Sequence, residues 1–377
     1  MKAIKNGKLI MKDKIVEGKV IIFDHKILDI REEIPTGIEK VIDAKGALVG
    51  AGLMDLHIHG SGGSDVMDAT HEALQIISET IAKFGVTSYL ATTMTMSPQR
   101  IQKALIQVRE SQSQVIGAKI LGVHLEGPFI SQTYKGAQNP GYIQKPNYDL
   151  IEPFIDLIKI ITLAPEEDEA YKFIKEIKLK TDIVLSMGHT AATFKQAVDA
   201  IDLGLSHATH TFNGMSAFNH REPGAVGAIL TQAVSAEIIA DTIHVSPGLY
   251  KWFYETKGPD KITLITDSMR AGCMKDGVYD LGGQDVVVAN GSARLRSGSL
   301  AGSVLTLNRA ISNFYENTAL ALPEVYRLAS LTPAKVIGLD HIKGSLEIGK
   351  DADVVIWDDD LNAIMTFVEG ECVYCQG

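Results

Sequence analysis

The stretch Leu53-Met54-Asp55-Leu56-His57-Ile58-His59-Gly60 runs from apolar residues into two histidines and stops at a glycine. Side chains alternate faces along a strand, so His57 and His59 point the same way and Asp55 shares their face. Alone, a His-x-His pair is weak grounds for a metal site. Four more groups of the same chemistry end other hydrophobic runs: Glu126 in His124-Leu125-Glu126-Gly127-Pro128, His189 in Gly188-His189-Thr190, His210 in His207-Ala208-Thr209-His210, and Asp267 in Thr266-Asp267-Ser268. Each has an ordinary explanation by itself: a capping carboxylate ahead of Pro128, a hydrogen-bonded loop histidine, a turn cap, a helix N-cap. As a set they point to metal ligands, because imidazole and carboxylate are what a divalent ion requires when it must also hold a reactive water. The six groups span more than 200 residues, so they meet only if the fold gathers strand ends. A parallel barrel does that.

Outward from this stretch, apolar runs at 47–58, 86–91, 118–125, 158–163, 182–187, 205–208, 235–240 and 261–266 alternate with amphipathic segments, clearest at 69–84, 97–110, 167–179 and 193–203. That alternation is the pattern of βα units. Eight such runs predict an α/β fold, a (β/α)8 TIM barrel, with every candidate ligand at or just beyond a strand's C-terminal end, where barrel active sites form. A doubly wound open sheet is the alternative, but no Gly-x-Gly-x-x-Gly turn follows the first strand. The Gly-rich stretch 271–302 breaks the pattern after the eighth run and is expected to form a loop or hairpin over the barrel mouth.

Both ends of the chain read differently. Residues 1–46 hold short strands and turns, as in Lys19-Val20-Ile21-Ile22-Phe23, and 344–377 read alike through Ala352-Asp353-Val354-Val355-Ile356-Trp357. Together they predict a small β-sandwich domain built from both termini, leaving the barrel on 47–343.

The composition, 45% hydrophobic and 22% charged over 377 residues, is that of an ordinary globular protein. A net charge of −10 argues against nucleic-acid binding, since no basic excess exists to displace counterions from phosphates. It also means that an anionic substrate needs a local cationic pocket. No apolar stretch reaches the ~18 residues of a membrane span, and Met1 to Lys8 lacks the apolar core of a signal peptide, so a cytoplasmic location is expected. Three cysteines do not make a disulfide framework. Cys372 and Cys375 form a Cys-x-x-Cys pair with no second pair to complete a zinc site, and read as two thiols on a terminal strand.

The order His-x-His, Glu, His, His, Asp on successive strands resembles the amidohydrolase superfamily, whose members hydrolyse amide or amine bonds with one or two metals. The tail Lys343-Gly344-Ser345-Leu346-Glu347-Ile348-Gly349-Lys350-Asp351-Ala352-Asp353 is similar to that superfamily's closing strands. More narrowly, His124-Leu125-Glu126-Gly127-Pro128-Phe129, Lys135-Gly136-Ala137-Gln138, Thr209-His210-Thr211-Phe212-Asn213-Gly214-Met215, Arg221-Glu222-Pro223-Gly224 and Leu264-Ile265-Thr266-Asp267 resemble the N-acetylglucosamine-6-phosphate deacetylases over almost the whole chain.

The resemblance implies that Glu126, His189 and His210 hold one metal, and that His57 and His59 add a second with Glu126 bridging. Some relatives lack the His-x-His pair, keep one metal and carry a histidine where Gln138 stands; this sequence has the pair and not that histidine, which favours two ions. Zn²⁺, Fe²⁺, Mn²⁺ and Co²⁺ all suit such ligands. The implied reaction is hydrolysis of the N-acetyl group of N-acetylglucosamine 6-phosphate in amino-sugar catabolism and cell-wall recycling. Asp267 would take a proton from the attacking water and pass it to the leaving amine. Asn213 and Gly214 would offer backbone N–H groups to the phosphate, Arg221 and His244 positive charge. Ala137 and Gln138 are expected at the acetyl end, and Leu300-Ala301-Gly302-Ser303 along the sugar. In such relatives the arginine often comes from a neighbouring subunit, so a homodimer is expected. Two rivals stand beside this: an amidohydrolase for a cyclic amide or amine, like dihydroorotases and adenine deaminases, and a barrel scaffold without chemistry.

Overall fold

The computed structural model describes residues 1–376. Eight parallel strands lie in chain order in one sheet: β1 (Leu53–Ile58), β2 (Val86–Thr93), β3 (Lys119–Glu126), β4 (Ile158–Leu163), β5 (Val184–Met187), β6 (His207–Ala208), β7 (Ser235–Ile239) and β8 (Ile262–Ile265). A parallel bridge between Ile58 and Ser268 and a 2.9 Å hydrogen bond from the His59 N–H to the Ser268 carbonyl join the end of β1 to the segment beyond β8. The barrel closes there. Strands covered on both faces need no polar alternation, and all eight positions of β2 are buried.

Helices between the strands form the outer layer, among them His71–Ala82, Pro98–Ser111, Lys172–Lys180 and Phe194–Asp202. Their starts follow from local chemistry: the side chains of Thr70, Ser97 and Thr193 each accept a hydrogen bond from an N–H in the first helical turn, satisfying donors the helix itself leaves open.

The apolar run 47–58 is two strands rather than one. Leu48–Ala51 pairs with Lys8–Ile10 and Val354–Trp357 outside the barrel, and the chain enters β1 only after Gly52. A Cβ at Gly52 would lie 2.1 Å from Thr87 Oγ1, so only glycine lets the chain pass so close to β2.

The terminal segments build two sheets. One holds Lys2–Lys5, Val20–Phe23, Ile27–Arg31 and Lys40–Asp43; the other holds six strands, including Leu48–Ala51, Val354–Trp357, Ala363–Val368 and Glu371–Cys375. Ile4, Ile21, Phe23, Val49, Val354, Ile356 and Phe367 share one apolar cluster between them. The opposite face meets the barrel: Val355, Trp357 and Ala363 belong to the barrel's own cluster. There the Trp357 indole N–H donates to the Tyr326 hydroxyl at 3.0 Å, and that hydroxyl donates to the Ala51 carbonyl at 2.5 Å.

After β8 the 271–302 segment folds into an antiparallel sheet of Gly277–Leu281, Gln284–Ala289 and Ser292–Leu295. The Gln284 amide donates to the Ala137 carbonyl, laying this sheet across the barrel mouth. All three cysteines are exposed and unbonded, and no helix among the described residues is long and apolar enough to cross a membrane.

Candidate active site

Glu126 is the last residue of β3, while His189, His210 and Asp267 each sit two residues past β5, β6 and β8. At all three of these the backbone turns into the left-handed region, with φ of 50°, 29° and 48°. Non-glycine residues rarely hold that conformation unless the surroundings impose it, and functional sites are where it concentrates. The turn sends each side chain inward over the C-terminal rim.

The result is a buried cluster of donor atoms with two halves. In one, the Nε2 atoms of His189 and His210 are 3.2 Å apart and lie 3.2 and 3.1 Å from Glu126 Oε1. In the other, His57 Nε2 and His59 Nε2 are 3.3 Å apart, Glu126 Oε2 is 3.2 Å from His59, and Asp267 Oδ1 is 3.5 and 3.3 Å from the two rings. Glu126 therefore touches both halves, Oε2 facing His59 while Oε1, which faces His189 and His210, also lies 3.6 Å from His57 Nε2. A tetrahedral ion with ligands at ~2.0–2.1 Å has donor–donor edges of about 3.3–3.4 Å, close to the spacings in both halves.

Hydrogen bonds set which ring nitrogen is available. His189 Nδ1 lies 2.7 Å from the Tyr134 carbonyl and His57 Nδ1 lies 3.0 Å from Glu237 Oε2. Both partners only accept, so Nδ1 carries the proton and Nε2 turns a lone pair into the cluster. A third trio, His57, His124 and Glu237, also has ligand spacing. It is no ion site, because His124 spends both ring nitrogens on the Leu56 carbonyl and the Thr162 hydroxyl, at 2.9 and 2.7 Å.

The electrostatics ask for positive charge. Burial opposes a charged imidazole at His57, yet Glu237, Glu126 and Asp267 outweigh it and push the ring up to about 9. His59 is raised well above its usual range in the same way, against burial, by Asp267 and Glu126. Burial would raise Glu126, but His57 and the other rings hold it well below the carboxylate range. Divalent ions supply this charge and displace such protons. The donor set fits them.

Around the cluster a pocket is lined by Ala137, Gln138, Asn213, Gly214, His244, Leu300 and Gly302, with Met94 and Leu281 adding apolar wall. Gln138 is tied down: its Nε2 donates to Glu126 Oε2 and its Oε1 accepts from the Thr95 N–H, both at 2.8 Å. Gly214 must be glycine, since its φ is 59° and a Cβ would lie 2.8 Å from His189 Nδ1. The Asn213 N–H is taken by the His210 carbonyl at 3.0 Å. His244 is held by Asp241, whose carboxylate receives the ring Nδ1–H at 2.6 Å and the His244 N–H at 2.8 Å.

Three of the residues expected to bind the substrate do not line this pocket. Ala301 is buried, and Ser303 donates instead to the Thr266 carbonyl at 2.6 Å. The chain turns at Gly302, whose φ of 61° lies in the left-handed region; Leu300 and Gly302 line the pocket while Ala301 and Ser303 are buried beside it. Arg221 is exposed on the loop after β6, its guanidinium 2.9 Å from the His220 ring. The sequence reading passed over Glu237, Asp241 and the fixed ring of His124. Glu237 had a signal: a lone carboxylate inside the apolar strand Ser235-Ala236-Glu237-Ile238-Ile239 must find partners to be buried.

A barrel carrying imidazole and carboxylate donors at its C-terminal rim defines a metal-dependent hydrolase, and the chain belongs to the amidohydrolase family, whose sequence model matches residues 48–376. Its relatives narrow the class. It is 40% identical to the N-acetylglucosamine-6-phosphate deacetylase of Bacillus subtilis (strain 168), covering 98% of this chain and 96% of that one. The crystal structure of N-acetylglucosamine-6-phosphate deacetylase from Pasteurella multocida superposes with a TM-score of 0.93 at 33% identity, over 98% of this chain and 99% of that one. A Mycobacterium smegmatis mutant of the same enzyme, solved in complex with N-acetyl-D-glucosamine-6-phosphate, superposes at 0.91 with 29% identity, over 99% of each chain.

Proposed function

We propose that this chain hydrolyses the N-acetyl group of N-acetyl-D-glucosamine 6-phosphate, releasing acetate and glucosamine 6-phosphate, in amino-sugar catabolism and cell-wall recycling. One observation carries the reading: a single pocket is lined both by the donor cluster and by Gly214 and the His244 imidazole. A hydrolytic end and an anion-binding end are thereby joined at the scale of one sugar.

Glu126, His189 and His210 would hold one divalent ion, and His57, His59 and Glu126, with Asp267 alongside, a second; Zn²⁺, Fe²⁺, Mn²⁺ and Co²⁺ all suit these donors. Ions bound there make hydroxide available near neutral pH and offset charge growing on the acyl oxygen. Asp267 accepts the proton of the attacking water and returns it to the departing amine. Gln138, from the pocket wall, keeps Glu126 in register through its amide N–H. Asp241 aims His244, which meets the phosphate together with the Gly214 N–H.

Arg221 completes phosphate binding from a second copy of the chain in a homodimer. Its place on an exposed loop outside the pocket of its own chain supports that reading. A cytoplasmic site of action suits a phosphorylated substrate, which does not cross a bilayer unaided. The test is a comparison of substrates on metal-loaded protein. Acetate release from the phosphorylated sugar, far faster than from N-acetylglucosamine, is expected. Turnover of a cyclic amide such as dihydroorotate in its place would select the rival chemistry.

A further inference from the structure

Glu237 sits at the centre of β7 with no exposed surface, one layer beneath the donor cluster. Its Oε2 accepts two hydrogen bonds at once, from His57 Nδ1–H at 3.0 Å and from the His210 backbone N–H at 3.0 Å. Its Oε1 lies 3.3 Å from His207 Nε2, and His207 Nδ1 lies 2.7 Å from the Ser235 hydroxyl. His57 belongs to one half of the cluster and His210 to the other. One buried oxygen therefore touches a ligand of each.

We propose that Glu237 is a positioning residue that couples the two ion positions, holding the His57 ring by its side chain and the His210 turn by its backbone. The inference rests on the metal reading above. A carboxylate behind an imidazole fixes the ring's orientation and tautomer and raises its basicity. Here it does so for His57, whose Nε2 is left unprotonated toward the cluster. For His210 it acts differently. The ligand turn has a φ of 29°, and the hydrogen bond to Glu237 is what pins its N–H. Glu126 approaches the same two residues from the cluster side, at Nε2, whereas Glu237 holds them from the opposite side, so losing Glu237 weakens both ion positions rather than one.

Two substitutions separate charge from geometry. In Glu237→Gln the amide oxygen can still accept from His57 and His210, while its NH₂ faces His207 Nε2, which can accept if the ring donates through Nδ1 to Ser235. Glu237→Ala removes both contacts. Metal-free wild type and variants would be titrated with Zn²⁺ against a chromophoric chelator. Ion content by elemental analysis, the visible spectrum of the Co²⁺ form and melting of the metal-free protein complete the set.

Glu237→Gln should keep both ions with each step weakened by about 10-fold. Its metal-free melting temperature should stay within about 3 °C of wild type. Glu237→Ala should hold fewer than two ions per chain, with an altered Co²⁺ spectrum. Affinities of Glu237→Gln within about two-fold of wild type at both steps would overturn the coupling, because second-layer loss ordinarily costs more than that. So would a fall in metal-free stability with ion affinity unchanged, which would make Glu237 part of the scaffold only. Wild-type protein that takes up no ion would overturn this proposal together with the metal reading; wild-type uptake with indifferent variants overturns this proposal alone.

Discussion

The Asp267 backbone N–H donates to the His57 carbonyl at 2.8 Å, and the same two residues approach again through Oδ1 and Nε2 at 3.5 Å. The first contact closes the barrel between β1 and β8. The second follows from it, because closing the sheet there places the carboxylate over the two histidines of β1. Barrel closure and active-site assembly are one event in this chain.

Asp267→Asn keeps this backbone contact and the side chain's shape but cannot accept a proton. Turnover should fall by on the order of 10²-fold or more. The Michaelis constant should change little if the group acts in the transition state. Steady-state kinetics on metal-loaded protein checks this, and activity within a few-fold of wild type would place the proton acceptor elsewhere.

Metal content is the second expectation. Reconstituted wild type should bind two divalent ions per chain, given the two donor groups that share Glu126. Replacing His57 and His59 together with alanine should remove one ion and spare the other, read by elemental analysis. Wild-type stoichiometry that never exceeds one would limit the site to Glu126, His189 and His210.

Phosphate recognition can be tested across subunits. Arg221→Ala should raise the Michaelis constant for the phosphorylated sugar and leave the weak activity on the unphosphorylated sugar nearly unchanged. Mixing that chain with an Asp267→Asn chain should restore activity, because one hybrid site then has an intact arginine and an intact base. No rescue in a verified heterodimer would return Arg221 to its own subunit or remove it from the site.

Stability at the start of the C-terminal segment depends on one buried cation. Lys343 Nζ lies 2.8 Å from Asp351 and 2.9 Å from Asp353, with its side chain 6% exposed. Burial would lower its pKa, but Asp353 and Asp351 raise it. Lys343→Met leaves the buried Asp353 without its cation, while Asp351 keeps Lys26 at 3.1 Å, and should cost about 3–5 kcal/mol. Burial already raises Asp353, and without Lys343 its folded-state pKa lies further above the unfolded value, so the native state binds more protons and stability falls as pH rises through that range. The gap to wild type in denaturant melts should therefore narrow from pH 7 toward pH 4. A gap independent of pH would refute the electrostatic account.

What could be read from sequence, and what could not, divides along the range of the interactions. The donor groups were visible because each ends an apolar run, and runs map to strands whose shared rim the barrel supplies; His57, His59, Glu126, His189, His210 and Asp267 do converge. The break at Gly52 was not visible. Leu48–Ala51 runs into Leu53–Ile58 with only Gly52 between them, and the close approach of Thr87 that requires this glycine comes from a strand more than 30 residues on. Leu300 to Ser303 looked uniform as a motif, yet the chain bends at Gly302 in the left-handed region and the Ser303 hydroxyl donates to the Thr266 carbonyl. The apolar strand around Glu237 signalled that it needs partners, but which partners stayed hidden, because they are 180 and 27 residues away.

The central claim is metal-dependent release of acetate from a phosphorylated amino sugar. It is tested most directly by stripping the protein with a chelator, adding back Zn²⁺ or Co²⁺, and measuring acetate and free amine from N-acetylglucosamine 6-phosphate. The account predicts negligible turnover in the stripped protein, recovery on adding the ion, and acetate and amine in equal amounts. Full activity in protein verified to be metal-free, or no turnover of this substrate by the reconstituted protein, would contradict it.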